Sequence, residues 1–343
     1  MLAMLLEQLG AMTPDSKPLR PAEVPVPQPQ ADELLLKVRA CAVCHTELDE
    51  IEGRTPPPRL PVVPGHQVVG VVERCGAAAG RFRPGDRVGV AWIFSACGEC
   101  EQCRSGHENL CSEFLATGRD VNGGYADYMT VPEAFAHPIP DSLPDVHAAP
   151  LLCAGAIGYR SLALTGMQNG DSLGLTGFGA SGHLVLKMVR YRFPASRVFV
   201  FARKPGGQAC ARELGAAWAG DTNAIPPQKL HAIIDTTPAW TPVVEALRHL
   251  RPGGRLVINA IRKEETDKST LLALDYPTQL WEEKEIKSVA NVTRADVAGM
   301  LALATQTSIE PAVETFSLRE ANAALCALKF HPVKGAKVLV MAG

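Results

Sequence analysis

The sequence predicts an α/β protein of two domains, a doubly wound parallel sheet joined to a mostly β domain. Three observations carry that prediction. The chain has 343 residues, more than one ordinary hydrophobic core organises and enough for two sizeable ones. Residues 1–150 are rich in Pro and Gly and hold short β-branched runs at 34–38, 68–72 and 87–90, which read as strands. From Asp171 onward, apolar runs alternate with helical stretches: SLGLTG, HLVLKMVRY, RVFVFA, GQACARELGA, HAIIDT, VVEALRHL, RLVINA and EIKSVA. That alternation is the βαβ pattern of a parallel sheet. After Asn291 two helical stretches, ADVAGMLALATQ and LREANAALCALKF, and a last strand, KVLVMA, break the alternation, so the tail is expected to rejoin the first domain. The expected division is 1–149 completed by 291–343, and 150–290.

Charge and composition narrow the function. With 34 Lys and Arg against 36 Asp and Glu, there is no basic field for nucleic acid and no charged tail for a membrane surface. A small, weakly charged partner is favoured. No run approaches the roughly 20 apolar residues that a bilayer crossing needs. The opening MLAMLLEQLG lacks a basic region and reads as a first strand, not a signal, so a cytoplasmic location is expected. In that reducing compartment the ten cysteines are better explained as metal ligands than as disulfides.

Gly177-Phe178-Gly179-Ala180-Ser181-Gly182 is G-x-G-x-x-G, directly after SLGLT at 172–176 and directly before an amphipathic helix. Gly177 permits the tight turn, Gly179 lets the backbone approach a pyrophosphate, and Gly182 allows the helix to pack closely on the strand. The helix N-terminus adds N–H donors and partial positive charge. In this position the motif marks a dinucleotide-binding sheet of the Rossmann type; the bland alternative, a Gly-rich turn, needs neither all three glycines nor their spacing. At the end of the next strand, where NAD enzymes usually place an acid for the ribose 2′-hydroxyl, stand Ala202, Arg203 and Lys204. No carboxylate repels a 2′-phosphate there and two cations can hold one, so NADP(H) is favoured and NAD(H) remains possible.

Cys97, Cys100, Cys103 and Cys111 follow C-x2-C-x2-C-x7-C. Four thiolates at this spacing close a tetrahedral zinc site, a structural one. An iron–sulfur cluster takes the same donors, but nothing else suggests electron transfer; a nucleic-acid zinc ribbon would carry aromatic and basic residues that this loop lacks. A second set is dispersed: Cys44, His66 and Cys153. Each alone is weak, yet together they supply two thiolates and an imidazole, the set that leaves zinc's fourth position open for substrate. Cys41, Cys75, Cys210 and Cys326 read as small core residues.

With these motifs in order, CHT at 44–46, PGH at 64–66, GDRV at 85–88, the four-cysteine loop, NGGYADY at 122–128, PLLCAG at 150–155 and GFGASGH at 177–183, the chain resembles the zinc-containing medium-chain alcohol dehydrogenases over its whole length. The resemblance implies a GroES-like catalytic domain, a homodimer or homotetramer, and two zinc ions per chain, the catalytic one on Cys44, His66 and Cys153. It implies Thr46 as the hydroxyl that receives the substrate's proton, Lys334 facing the pyrophosphate, and Trp92 and Ile93 lining the substrate pocket. Against the family's pattern, Gln67 follows the zinc histidine where Glu is common, so a negative charge beside the metal is expected to be missing. Glu47 replaces an Asp, Asp49 stands where a proton-relaying His is common, and Ile157 replaces a Thr under the nicotinamide.

The function so implied is zinc-dependent hydride transfer between a small alcohol or aldehyde and NAD(P), with Asp49 or His45 relaying the proton from Thr46. Two rivals are a zinc-free quinone or enoyl reductase on the same fold, which needs no three-ligand set, and a dinucleotide-binding protein that keeps zinc without alcohol turnover.

Overall fold

The computed structural model describes residues 1–307, 309–331 and 335–342. The chain divides into two compact units, Met1–Ala156 with Asn291–Gly343, and Ile157–Ala290.

The first unit is built on the strand Glu33–Val43, whose apolar run is buried along nearly its whole length. It pairs antiparallel with Gln67–Cys75, Tyr128–Pro132 and Ala336–Val340, so the chain's last strand lies against one of its first. The full sheet has seven strands, extended by Arg87–Val90 and Ala136–Pro138 on one side and Val313–Ser317 on the other. The opening residues form the strand Leu2–Leu6, paired with Leu19–Glu23. Charge joins the tail to the first helix, His45–Ile51. Just past it, Glu52 accepts the Met12 N–H at 3.0 Å and the ammonium of Lys329 on the helix Ala321–Phe330. Burial works against that charge, yet the hydrogen bonds from Lys329, Met12 and Arg54 hold the Glu52 carboxyl down to about 2.

The second unit is a six-stranded parallel sheet in the spatial order Trp218–Gly220, Arg197–Phe201, Ser172–Thr176, Leu230–Asp235, Leu250–Ile258, Glu285–Ser288. Numbered along the chain from Ser172–Thr176, that order is 3-2-1-4-5-6, the order of a dinucleotide-binding sheet. The strand order reverses between Ser172–Thr176 and Leu230–Asp235, where Thr176 stands beside Asp235. Phe199, Phe201, Ile233, Val243, Leu247 and Leu256 fill the core on one side, and the amphipathic helix Thr241–His249 supplies its share from one face.

Two expectations change. The first unit ends after Ala156, not at 149, because the helix Asp145–Pro150 continues into a π-helical turn, Leu151–Gly155, that packs on the helix Arg294–Thr307 of the same unit. Of the four cysteines assigned to the core, Cys41 alone is buried; Cys75, Cys210 and Cys326 are half-buried, their sulfurs on Phe82 O, His183 Nε2 and Ser16 O. A sulfur needs only a carbonyl or an imidazole edge to be accommodated near the surface.

Buried imidazoles set the acid response. Burial, with Arg81 and Arg294 nearby, pushes His137 down to about 4, and burial with Lys229 and Arg248 does the same to His249, which stacks on Phe201. Above about pH 6.5 both folded and unfolded chains carry these rings neutral. Between about 6.5 and 4 only the unfolded chain takes up the protons, so stability falls as pH falls through that window. For His137 alone the loss reaches roughly 3 kcal/mol. Urea unfolding of His137→Gln is expected to be flatter with pH across this window than that of the native chain; parallel curves would remove His137 from the acid response.

Candidate metal centres and dinucleotide loop

Cys44 ends its strand in extended conformation and caps the helix His45–Ile51. The cap is reciprocal: the Cys44 sulfur receives the Glu47 N–H, while Glu47 Oε2 accepts the Cys44 N–H at 2.7 Å. The other carboxylate oxygen, Oε1, lies 2.7 Å from His66 Nδ1, with both side chains fully enclosed. One carboxylate therefore holds the backbone of one donor and the ring of another. Gln67 supplies no carboxyl beside the donors; the carboxyl that faces the His66 ring is that of Glu47, pushed up by its burial.

His66 reaches this place because Gly65 turns at φ +98, where a Cβ would stand 2.3 Å from the Tyr125 ring. The NGGY segment holds that turn: Gly123, Gly124 and Tyr125 donate their N–H groups to Val63, Gly65 and Pro64, and Asn122 Oδ1 accepts from Val63. Cys153 arrives from the π-helical turn, a departure from regular helix that re-aims a side chain.

The donor atoms of Cys44, His66 and Cys153 all lie within 4.8 Å of one another. With zinc bonds of about 2.0–2.3 Å, tetrahedral donors stand roughly 3.5–3.8 Å apart. Neither buried His66 ring nitrogen has a hydrogen-bond partner, as a ligating nitrogen requires, and with Nδ1 2.7 Å from Glu47 Oε1 it is Nε2 that is left for a metal. A hydrogen bond from Cys153, then the His66 ring, hold Cys44 well below the ordinary thiol range, and the same bond pushes Cys153 up. Two thiolates and an imidazole suit zinc and leave a fourth position open.

The second cluster lies between the short strands Ile93–Ser95 and Leu115–Ala116. The sulfurs of Cys97, Cys100, Cys103 and Cys111 converge within 4.8 Å, with Cys97 at 3.9 Å from Cys103 and 3.5 Å from Cys111. The N–H groups of Cys100 and Glu99 hold Cys97 down to about 7. Four thiol donors fill a tetrahedron and leave no position for substrate.

In the second unit, Gly177 takes φ +79, and a Cβ on it would meet Thr236 Oγ1 at 2.7 Å; a Cβ on Gly182 would meet Gly177 O at 3.2 Å. Nothing stands within 4 Å of a Cβ on Gly179, the N-cap of the helix Ala180–Arg192, which has no side-chain cap. The loop thus presents an open backbone and uncapped N–H donors, which fits a pyrophosphate. Arg203 and Lys204 are exposed at the end of the strand Arg197–Phe201, and Ala202 is buried behind them.

The remaining candidates sort themselves. Thr46 Oγ1 stands 3.6 Å from the Cys44 sulfur, and His45 beside it is exposed. Asp49 is drawn to Arg54 Nε at 2.5 Å, a partner that sequence pattern does not announce. Trp92 meets the His66 ring edge-on at 6.5 Å, whereas Ile93 is wholly buried in its strand. Ile157 opens the second unit, and Lys334 lies outside the described residues. Sequence reasoning missed Phe114, 5.4 Å from Trp92 and three residues past Cys111. It also missed Glu50, a buried carboxyl pushed well up by burial and by Glu47; its signal was a second acid one helical turn after the first.

An open donor set of this composition and a separate dinucleotide sheet define the zinc-type dehydrogenases that work with a nicotinamide cofactor. Residues 30–141 match the alcohol dehydrogenase GroES-like domain family. The chain is 41% identical over 332 residues to the probable alcohol dehydrogenase AdhA of Mycobacterium tuberculosis, covering 95% of this chain and 94% of that one. Among solved structures it is similar to a cinnamyl alcohol dehydrogenase from Sorghum bicolor (27% identity, TM-score 0.83, 99% and 97% covered). It is also similar to a zinc-binding dehydrogenase from Sinorhizobium meliloti 1021 bound to NADP (25%, TM-score 0.86, 99% and 98%). The chain belongs to the zinc-dependent medium-chain alcohol dehydrogenases. It is an oxidoreductase acting between alcohols and aldehydes with NAD(P), and among its described residues no helix is long and apolar enough to cross a membrane.

Elemental analysis is expected to find two zinc ions per chain. Cys153→Ser should lose one and abolish turnover. Cys103→Ser should also lose one, but with melting lowered by roughly 6–12 °C, the equivalent of about 3 kcal/mol, since a closed site contributes folding free energy. Equal zinc loss with unchanged melting in both would overturn this division of roles.

Proposed function

We propose that Cys44, His66 and Cys153 hold the catalytic zinc, that the four-cysteine loop holds a structural one, and that NADP(H) is the preferred cofactor. The observation that carries this reading is the convergence of the three dispersed donors around an unpartnered His66 Nε2. When bound, the metal supplies Lewis acidity toward the substrate's oxygen. Thr46 Oγ1, beside the Cys44 sulfur, receives the proton of the alcohol, and exposed His45 passes it to solvent. Asp49, occupied by Arg54, is the weaker relay candidate. Glu47 Oε1, 2.7 Å from His66 Nδ1, orients the ring so that Nε2 is the nitrogen left for the metal. Trp92, edge-on to His66, and Phe114 beside Trp92 offer flat apolar faces, which favours planar or small alcohols. Arg203 and Lys204 supply charge-assisted contacts for a 2′-phosphate, and Ala202 removes the repulsion. A homodimer, within a homotetramer or alone, is supported by the edge strand Glu285–Ser288, exposed at each residue and carrying Ile286; light scattering on Ile286→Lys, expected to be smaller than the native protein, decides it.

The test is turnover on a panel of alcohols with both cofactors. Thr46→Val is expected to lower kcat by about 100-fold or more with cofactor affinity intact. One charge-assisted contact of about 1.5–3 kcal/mol corresponds to roughly 10- to 150-fold, so kcat/KM should favour NADP, and Ala202→Asp with Arg203→Ile should reverse the order. Near-native turnover of Thr46→Val removes that residue from the mechanism, and a native preference for NAD of about tenfold or more sinks the cofactor assignment.

A further inference from the structure

One buried ion pair has no part in the mechanism above. Lys263 and Asp235 are ion-paired in the second unit, with 8% and 0% of their side chains exposed. Asp235 ends the strand Leu230–Asp235, beside Thr176 on one side and Ile258 on the other. This is the carboxyl edge of the sheet, at the reversal of strand order, where ligands of such sheets bind.

The contacts run from the lysine to the glycine loop. Lys263 Nζ donates to Asp235 Oδ2, to Thr237 O at 2.7 Å and to Ala239 O at 3.0 Å. An ammonium has three donors, so all of them are engaged and none is left for a substrate. Asp235 Oδ1 in turn accepts from Thr176 Oγ1 at 2.5 Å and Thr237 Oγ1 at 2.8 Å. Thr236 donates its N–H and its hydroxyl to Thr176 O, at 2.9 and 3.0 Å. Gly177 follows at once, and Thr236 Oγ1 lies so close that a Cβ there would clash. The segment 235–239 is thus the wall against which the first glycine turns, and Lys263 braces that wall from the segment after the neighbouring strand.

Neutral side chains of similar volume at both positions would fill the same space without the desolvation of two charges. We propose that the Lys263–Asp235 pair is a positioning device for the dinucleotide loop, so that the cofactor's affinity depends on it. This rests on the dinucleotide reading of the loop.

Direct titration of NADPH by fluorescence tests it, with melting and zinc content as companions. Lys263→Met is expected to raise the Kd on the order of tenfold, since a small displacement of a binding loop is costly, while two zinc ions stay bound. Lys263→Arg should stay within about threefold of native, because it keeps the charge. The double variant Lys263→Met with Asp235→Asn leaves no unpaired charge and should regain melting while its Kd stays raised. If Lys263→Met fails to fold, Asp235→Asn, which keeps the hydroxyl contacts and the volume, carries the same expectation. A Kd within about twofold of native in the single variants overturns the proposal, as does recovery of both melting and Kd in the double variant, which would make the pair structural alone. A native protein with no saturable binding of NADPH or NADH overturns the dinucleotide reading instead.

Discussion

A fully enclosed carboxyl at Glu47 ties together two donors of the candidate metal centre that are far apart in sequence, and their geometry turns on it. Its Oε2 takes the Cys44 N–H and its Oε1 faces His66 Nδ1. An ionised carboxyl out of water is costly unless its oxygens are matched by donors. Here the Cys44 N–H donates to one oxygen and the His66 ring lies against the other, an arrangement with consequences for geometry. The helix that carries Thr46 starts where Glu47 can reach back to Cys44, and the imidazole is left with Nε2 as its free atom. Partners of this kind affect metal affinity by about 10- to 100-fold in related centres.

The two units divide the chemistry by the kind of rigidity each supplies. In the first, donors stand at strand ends and turns of a sheet closed by the tail strand Ala336–Val340, and the Gly65 turn is held by three N–H groups of the NGGY segment. Convergence of three side chains needs that scaffold, because a ligand set misplaced by an ångström binds no metal well. In the second, the working groups are backbone N–H donors and glycines, so what has to be rigid is the path of the main chain. The buried polar network of Thr176, Asp235, Thr237 and Lys263 sits where that path turns away from the sheet.

Much of the candidate site was legible because its information is local. The four-cysteine spacing and the G-x-G-x-x-G loop each describe one continuous segment whose donors or glycines are held by a turn. The strand pattern gave the parallel sheet, and the broken alternation after Asn291 pointed to a returning tail. What was not legible came from side-chain contacts that only the folded chain makes, most of them across long separations. That Glu47 faces His66, that Arg54 occupies Asp49, that Phe114 stands beside Trp92 and that Lys263 finds Asp235 depend on packing that no periodicity encodes. Three of the four cysteines taken for core residues, Cys75, Cys210 and Cys326, were misread for a related reason: cysteine's apolar character is intrinsic, but its depth belongs to the fold.

By itself the sequence determined which groups are available and how each short segment bends: thiols at two-residue intervals, glycines where only glycine turns, an acid three residues after Cys44. Those choices are governed by local sterics and hydrogen bonding, which act over a few residues. The tertiary structure decided which of these groups meet. Residues 44, 66 and 153 converge because antiparallel pairing sets Glu33–Val43 beside Gln67–Cys75, and because the π-helical turn Leu151–Gly155 is packed within the first unit. It also decided which carboxyl stands against the His66 ring, since that depends on burial and on the partner found there, and neither exists until the chain is folded.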